Sequence, residues 1–187
     1  MKTIHNMGRQ LPGLVGKSIL TQGELNLLDH KIRESDCRCF IEIGTWTGTS
    51  CAWLAERHPS VQFICFDTFV NDTAGLQIQN WITNKRPNMM LIIGDSNDLT
   101  TLDLQADIIF VDGDHTLDGC RVDLLNAATS LHLSGLLICH DYTHEKFGVK
   151  KAVDEMLARH HDYKIVDACD SIVVIQDVEE LDQEEEM

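Results

Sequence analysis

Apolar residues gather along the chain in short runs of four to six, and between these runs they recur at helical spacing. The runs "CRCFIEIG" (37–44), "VQFICFD" (61–67), "NMMLIIGD" (88–95), "ADIIFVD" (106–112) and "GLLICHD" (135–141) read as five strands. Their near-continuous apolar character is that of strands buried on both faces. The stretches "TSCAWLAERH", "AGLQIQNWITNK" and "CRVDLLNAATSLH" between them read as helices. After the fifth strand, Val149, Val153, Met156 and Leu157 again fall at helical spacing. A leading helix is expected over residues 21–35, "TQGELNLLDHKIRES". "YKIVDA" and "SIVVIQDV" close the chain with only "CDS" between them, so one of these two strands runs antiparallel to the rest. The pattern predicts an α/β fold: a mostly parallel, doubly wound, seven-stranded sheet with helices on both faces. In such a sheet the carboxyl ends of the parallel strands share one edge, and ligands bind there.

The five strand ends carry a second pattern. They read "EIG", "FD", "GDS", "VDGDH" and "CHDY", so each delivers a glycine or an acidic residue to that edge. Turn chemistry explains any one of them. Together they place several carboxylates on one rim, where like charges repel unless a ligand, a metal or protons compensate them. The rim is therefore the expected binding site. At its start, "FIEIGTWTGTS" sets Gly44 and Gly48 between a strand and a helix. A nucleotide P-loop would end in Gly-Lys-Ser/Thr, and no lysine is present. A dinucleotide loop would read G-x-G-x-x-G, but Trp46 stands at the second glycine, where a pyrophosphate needs open backbone.

Composition narrows the field. The chain of 187 residues is long enough for one sizeable core, so one domain is expected. It divides into an N-terminal helical segment (1–36), the α/β core (37–178) and an acidic tail (179–187). The net charge is −15 without clustered Lys and Arg, which argues against nucleic acid as a partner. No apolar run is long enough to span a membrane. The N-terminus lacks the apolar core of a secretory signal, and the seven scattered cysteines read as free thiols, so a cytoplasmic location is expected.

Taken in order, "IEIGTWTGTS", "FD", "IIGDS", "IIFVDGDHTLDGCRVDL" and "GLLICHDY…GVKKAVDEM" resemble the class I S-adenosylmethionine-dependent methyltransferases. Within that family they are most similar to the small O-methyltransferases of sugars and catechols, over roughly residues 37–160. The resemblance implies a Rossmann-like fold and S-adenosylmethionine as cofactor. Gly44 and Gly48 would line its methionine part with Glu42 nearby, Asp67 would accept from both ribose hydroxyls, and Asp95 and Ser96 would sit at the adenine edge.

In the metal-dependent members, acidic residues after strands four and five hold Mg²⁺. Asp112 and Asp141 match those positions, whereas His140 and Tyr142 depart from the usual Asp and Asn. A set of Asp112, His140 and Asp141 suits another divalent metal as well as Mg²⁺, and a metal-free site of hydrogen-bonding residues is the alternative. His115 would be the general base, although flanking carboxylates favour its protonated form. The expected activity is methyl transfer to a hydroxyl of a small molecule. A cofactor-binding or regulatory protein without catalysis is the rival reading, and "VDGDH" argues against it because a mere binder needs no base. Residues 1–36 and "TFVNDTAGLQIQNW" are the only segments left to cover the acceptor, whose pocket is then open or completed by a second subunit of a homodimer.

Overall fold

The computed structural model describes residues 20–70 and 72–178; the expected tail and the first nineteen residues of the N-terminal segment lie outside the described residues. Helix α1 (Gln22–Glu34) begins in a capping box. The Thr21 hydroxyl accepts the Glu24 N–H, and the Glu24 carboxylate accepts the Thr21 N–H at 2.7 Å. The elements that follow alternate as the apolar runs predict. They are β1 (Cys39–Ile43), α2 (Thr49–Arg57), β2 (Gln62–Asp67), α3 (Thr73–Thr83), β3 (Met89–Ile93), the short α4 (Asn97–Thr101) and β4 (Ala106–Val111). Then come α5 (Leu117–Thr129), β5 (Leu131–Cys139), α6 (Val149–Arg159), β6 (Tyr163–Cys169) and β7 (Ile172–Asp177).

The seven strands form one sheet in the order β3-β2-β1-β4-β5-β7-β6. β1 to β5 run parallel, and β7 inserts antiparallel between β5 and β6. Strand β5 starts four residues earlier than its apolar run. A register shift against β4 and Ser134 at φ +61° absorb the polar segment "HLSG" that hides this extension in the sequence.

Alternation along the buried strands sorts side chains to two faces. Phe40, Phe63, Cys65, Ile108, Phe110 and Ile138 pack under α1, α2 and α3. Their neighbours Ile41, Ile64, Phe66, Ile109, Val111 and Leu137 pack under α4, α5 and α6. Each such side chain contributes roughly 1.5–3 kcal/mol on burial, which pins the register and hence the level at which every strand ends. Order reverses between β1 and β4: from β1 the chain winds outward to β3, then returns to β4 on the other side. The crevice at this switch point opens above the carboxyl ends of β1 and β4. Among the described residues no helix is long and apolar enough to cross a membrane.

Candidate active site

The first half of the rim is built from tight backbone turns. Gly44 follows β1 at φ +85°, and a Cβ there would come 2.2 Å from the Asp112 carbonyl oxygen, so only glycine lets β1 and β4 end this close together. Gly48 opens α2 at φ +68°, against the Gln79 side chain. Between them Trp46, at φ +45°, donates its backbone N–H to Asp67 Oδ2 at 2.7 Å. Asp67 Oδ1 accepts the Phe69 N–H at 2.8 Å, and Phe69 is likewise left-handed. One carboxylate at the end of β2 therefore ties down two strained turns. The Trp46 indole N–H reaches Asp72 Oδ2 at 2.6 Å, while Asp72 Oδ1 caps α3 through the Gly75 N–H. Trp46 links the glycine loop to α3 in addition to packing.

Glu42 lies beneath this loop and is buried. It accepts from the hydroxyls of Thr45, at 2.6 Å, and Ser50. Burial outweighs these hydrogen bonds and pushes its pKa up to about 7. Asp95 faces solvent, with Oδ1 accepting from both the backbone and the side chain of Asn97 at 2.9 Å. Ser96 is buried, and its hydroxyl accepts from Asn126 Nδ2 at 3.1 Å. Gly44, Asp67, Asp95, Ser96 and Asp112 all line one cavity of about 640 Å³. That is within the ordinary range for a small-molecule site. Glu42 is not among its lining residues; it supports the loop from below.

The second half of the rim is a cluster of side chains. His115 Nε2 lies 3.4 Å from Asp112 Oδ1 and 3.3 Å from Asp141 Oδ2. One ligand atom from each of Asp112, His115 and Asp141 falls within 4.8 Å of the others, so the three can share one cation. The sequence expectation placed His140 in that set and His115 outside it. The structure brings both rings to the two carboxylates: the His140 ring is buried, with Nδ1 at 3.0 Å from Asp112 Oδ1 and 3.5 Å from Asp141 Oδ2, and its Nε2, which makes no hydrogen bond, lies 3.4 Å from Glu24 Oε1. Asp141 is held at φ +58°, a conformation Asp tolerates better than most residues.

The charges explain each other. Burial alone would raise the Asp112 pKa, but His115 and His140 hold it below the usual carboxylate range. In return Asp112, chiefly through its hydrogen bond, lifts the His115 pKa against the effect of burial, with Asp141 adding to it. Burial would depress His140, yet Asp112 and Glu24 together raise it to about 10. A second close group, Glu42 with Cys51 and Cys65, also has the spacing for a cation. Burial, with Cys65 and Glu42 nearby, holds the Cys51 thiol well above its normal pKa, so this group fits a metal poorly. Asp112, His115 and Asp141 are the better fit, being partly exposed and offering oxygen and imidazole donors.

Sequence reasoning missed two acidic residues here. Asp123 sits on α5, buried at the cavity wall, where Oδ2 accepts the Asp114 N–H at 3.2 Å. Burial and the nearby charges of Asp114 and Asp95 raise its pKa against the hydrogen bonds from Ser96 and Asp114. Its signal was an aspartate on the apolar stripe of "CRVDLLNAA". Glu24 is the other; its only sequence signal is the capping box, which points to helix structure and not to the rim. His144 stacks on Phe147 at 4.0 Å between ring centroids, and His115 stacks on Phe147 at 4.6 Å.

Comparison with known proteins supports the fold and shows the family. The family model described as a methyltransferase domain matches residues 41–142. No curated protein sequence matches the chain. Among solved structures, a candidate caffeoyl-CoA O-methyltransferase of Staphylococcus aureus is similar at 18% identity and a TM-score of 0.75, covering 95% of this chain and 93% of that one. An O-methyltransferase of Bacillus cereus in complex with SAH is similar at 12% identity and a TM-score of 0.70, covering 92% and 88%. The O-methyltransferase TomG of Streptomyces achromogenes, in complex with SAM, is similar at 19% identity and a TM-score of 0.67, covering 92% and 85%. At these identities the likeness is one of fold.

Proposed function

The chain belongs to the methyltransferase-domain family, and on that premise we propose that it transfers a methyl group from S-adenosylmethionine to a hydroxyl of a small molecule. The observation that carries this reading is the double position of Asp112. It lines the 640 Å³ cavity and also joins the cluster with His115 and Asp141, so the donor and acceptor sides meet at one residue.

Asp67 suits the ribose hydroxyls, because each of its oxygens accepts one backbone N–H and keeps a lone pair free. Gly44 keeps the loop low against the cavity, Gly48 opens α2 against Gln79 outside the cavity lining, and Glu42 holds the loop from beneath. Asp95 and Ser96 close the far side, as expected for the adenine edge. A divalent cation, Mg²⁺ or another, would be held by Asp112 and Asp141 and would lower the pKa of an acceptor hydroxyl. With the cation on these two carboxylates alone, His115 Nε2 keeps its lone pair and would take the hydroxyl proton. In the cation-free site the two carboxylates favour its imidazolium form, so base function requires their charge to be compensated.

Calorimetric titration with S-adenosylmethionine and with NAD(H) tests the reading. Heat is expected with the first alone, and silence with S-adenosylmethionine at millimolar concentration would overturn it. A panel of hydroxylated acceptors, with released S-adenosylhomocysteine as readout, identifies the substrate. With that acceptor, chelation and His115→Ala should each abolish turnover while cofactor affinity barely changes.

A further inference from the structure

We propose that Glu24, on the leading helix α1, is a positioning residue for the acceptor side of the site, acting through His140 to hold the Asp112 carboxylate in place. The proposal rests on the reading above for its functional meaning, and on the following geometry for its content. His140 is 5% exposed, and its ring lies between the Glu24 carboxylate and those of Asp112 and Asp141. Nε2 is 3.4 Å from Glu24 Oε1, an ionic contact without hydrogen-bond alignment, and Nδ1 is 3.0 Å from Asp112 Oδ1 and 3.5 Å from Asp141 Oδ2. The ring therefore has one edge set by Glu24 and the other presented to the rim.

Glu24 is itself immobilised from three directions. Its Oε2 accepts the Thr21 N–H at 2.7 Å. Its Oε1 accepts the Ser171 N–H at 3.0 Å and the Ser171 hydroxyl at 2.6 Å. Ser171 lies in the turn between β6 and β7, and its carbonyl accepts the Tyr142 N–H at 2.9 Å, one residue beyond Asp141. The helix start, the β6–β7 turn and the loop after β5 thus converge on one buried carboxylate, at only 1% exposure.

Helix capping accounts for Oε2 alone. It does not require Oε1 to face a histidine that touches the rim. Outer partners of this kind, which fix a group that in turn orients a ligating carboxylate, typically matter tenfold to a hundredfold. Glu24 and Ser171 both lie outside residues 41–142, so the family-matched segment is completed here by flanking chain.

Glu24→Gln tests the proposal, because it removes the charge facing His140 and keeps one accepting oxygen for either Thr21 or Ser171. Thr21→Ala is the counterpart: it removes the hydroxyl cap but leaves Glu24 against His140. The readouts on the cofactor-free protein are the ring ¹⁵N signals of His140 and the carboxyl ¹³C signal of Asp112. Mn²⁺ affinity by calorimetry and melting temperature are measured alongside. Glu24→Gln should shift both NMR signals and weaken Mn²⁺ binding at least tenfold, with a melting temperature lowered no less than in Thr21→Ala, since one amide oxygen cannot serve both Thr21 and Ser171. Thr21→Ala should lower the melting temperature and leave the NMR signals and Mn²⁺ affinity as in the wild type. Unchanged His140 and Asp112 signals in Glu24→Gln would overturn the proposal, as would equal changes in both variants, which mark a merely structural role. Titration with S-adenosylmethionine is kept separate. Its failure in the wild type counts against the methyltransferase reading, whereas the NMR signals still decide whether Glu24 sets Asp112.

Discussion

At the ends of β1 to β3 the carboxylates are held by backbone N–H groups and hydroxyls, whereas at the ends of β4 and β5 they are held by imidazole rings. Asp67 takes the N–H of Trp46, in the glycine loop after β1, and that of Phe69, two residues beyond itself. Asp112 is instead held by His115 and His140, and His140 leads back to Glu24. The first arrangement is rigid and leaves lone pairs facing the cavity, which suits holding a ligand of fixed shape. The second is a set of titratable groups in mutual contact, which suits moving a proton and accommodating a cation.

Changes confined to one half should therefore leave the other half's property intact. The largest effect is expected from Asp141→Asn, which strikes the acceptor half alone and keeps a residue that tolerates φ +58°. Turnover of the identified acceptor should fall by about three orders of magnitude or more, with cofactor affinity within a few-fold. Steady-state kinetics and calorimetry on the same preparation check this, and a parallel loss of both would erase the distinction. Gly44→Ala strikes the seam between the halves. A Cβ 2.2 Å from the Asp112 carbonyl, at φ +85°, should cost about 3 kcal/mol of stability, read by urea denaturation.

Asp67→Asn acts on the cofactor half alone. Asparagine has one accepting oxygen for two N–H donors, so S-adenosylmethionine should bind tenfold to a hundredfold more weakly, about 2 kcal/mol, with Mn²⁺ affinity unchanged. The smallest effect is a pH dependence. Burial raises the Glu42 pKa from 4.5 to about 7, so the native state holds a proton that the unfolded chain releases. Stability from this group is full below the unfolded pKa and is lost as pH rises through 7. Between pH 6 and 8 the loss is about 1.4 kcal/mol, and Glu42→Gln should lack it when cofactor-free protein is unfolded at both pH values.

The strand ends were legible in the sequence because a parallel sheet buried on both faces turns each strand into a nearly continuous apolar run. The run stops where the strand does. That is why Gly44, Asp67, Asp95 and Asp112 fell on one edge before any coordinates, and why the cavity they line was expected there. The roles inside the second half were less legible. His115 and His140 both come within 3.5 Å of Asp141, and which ring is buried and which stays half-exposed is set by tertiary packing that local sequence does not show. Glu24 could not be read as part of the site, because its contact with Ser171 spans 147 residues and its capping box explains it locally. The early start of β5 was hidden for a similar reason: "HLSG" reads as a loop, and only its pairing with β4 makes it strand.

The cavity wall carries Asp67, Asp95, Asp112, Asp114 and Asp123, with no lysine or arginine among its lining residues. On the proposed reading this bears on what happens after the chemistry. S-adenosylmethionine enters with a sulfonium cation, and the demethylated product leaves as a neutral thioether. An acidic wall attracts the first and loses that attraction for the second, with every 1.4 kcal/mol of difference worth about tenfold in dissociation constant. The same aspartates that strain the fold by mutual repulsion would thus bias the turnover cycle toward exchanging spent cofactor for fresh. That bias would weaken as salt screens the wall.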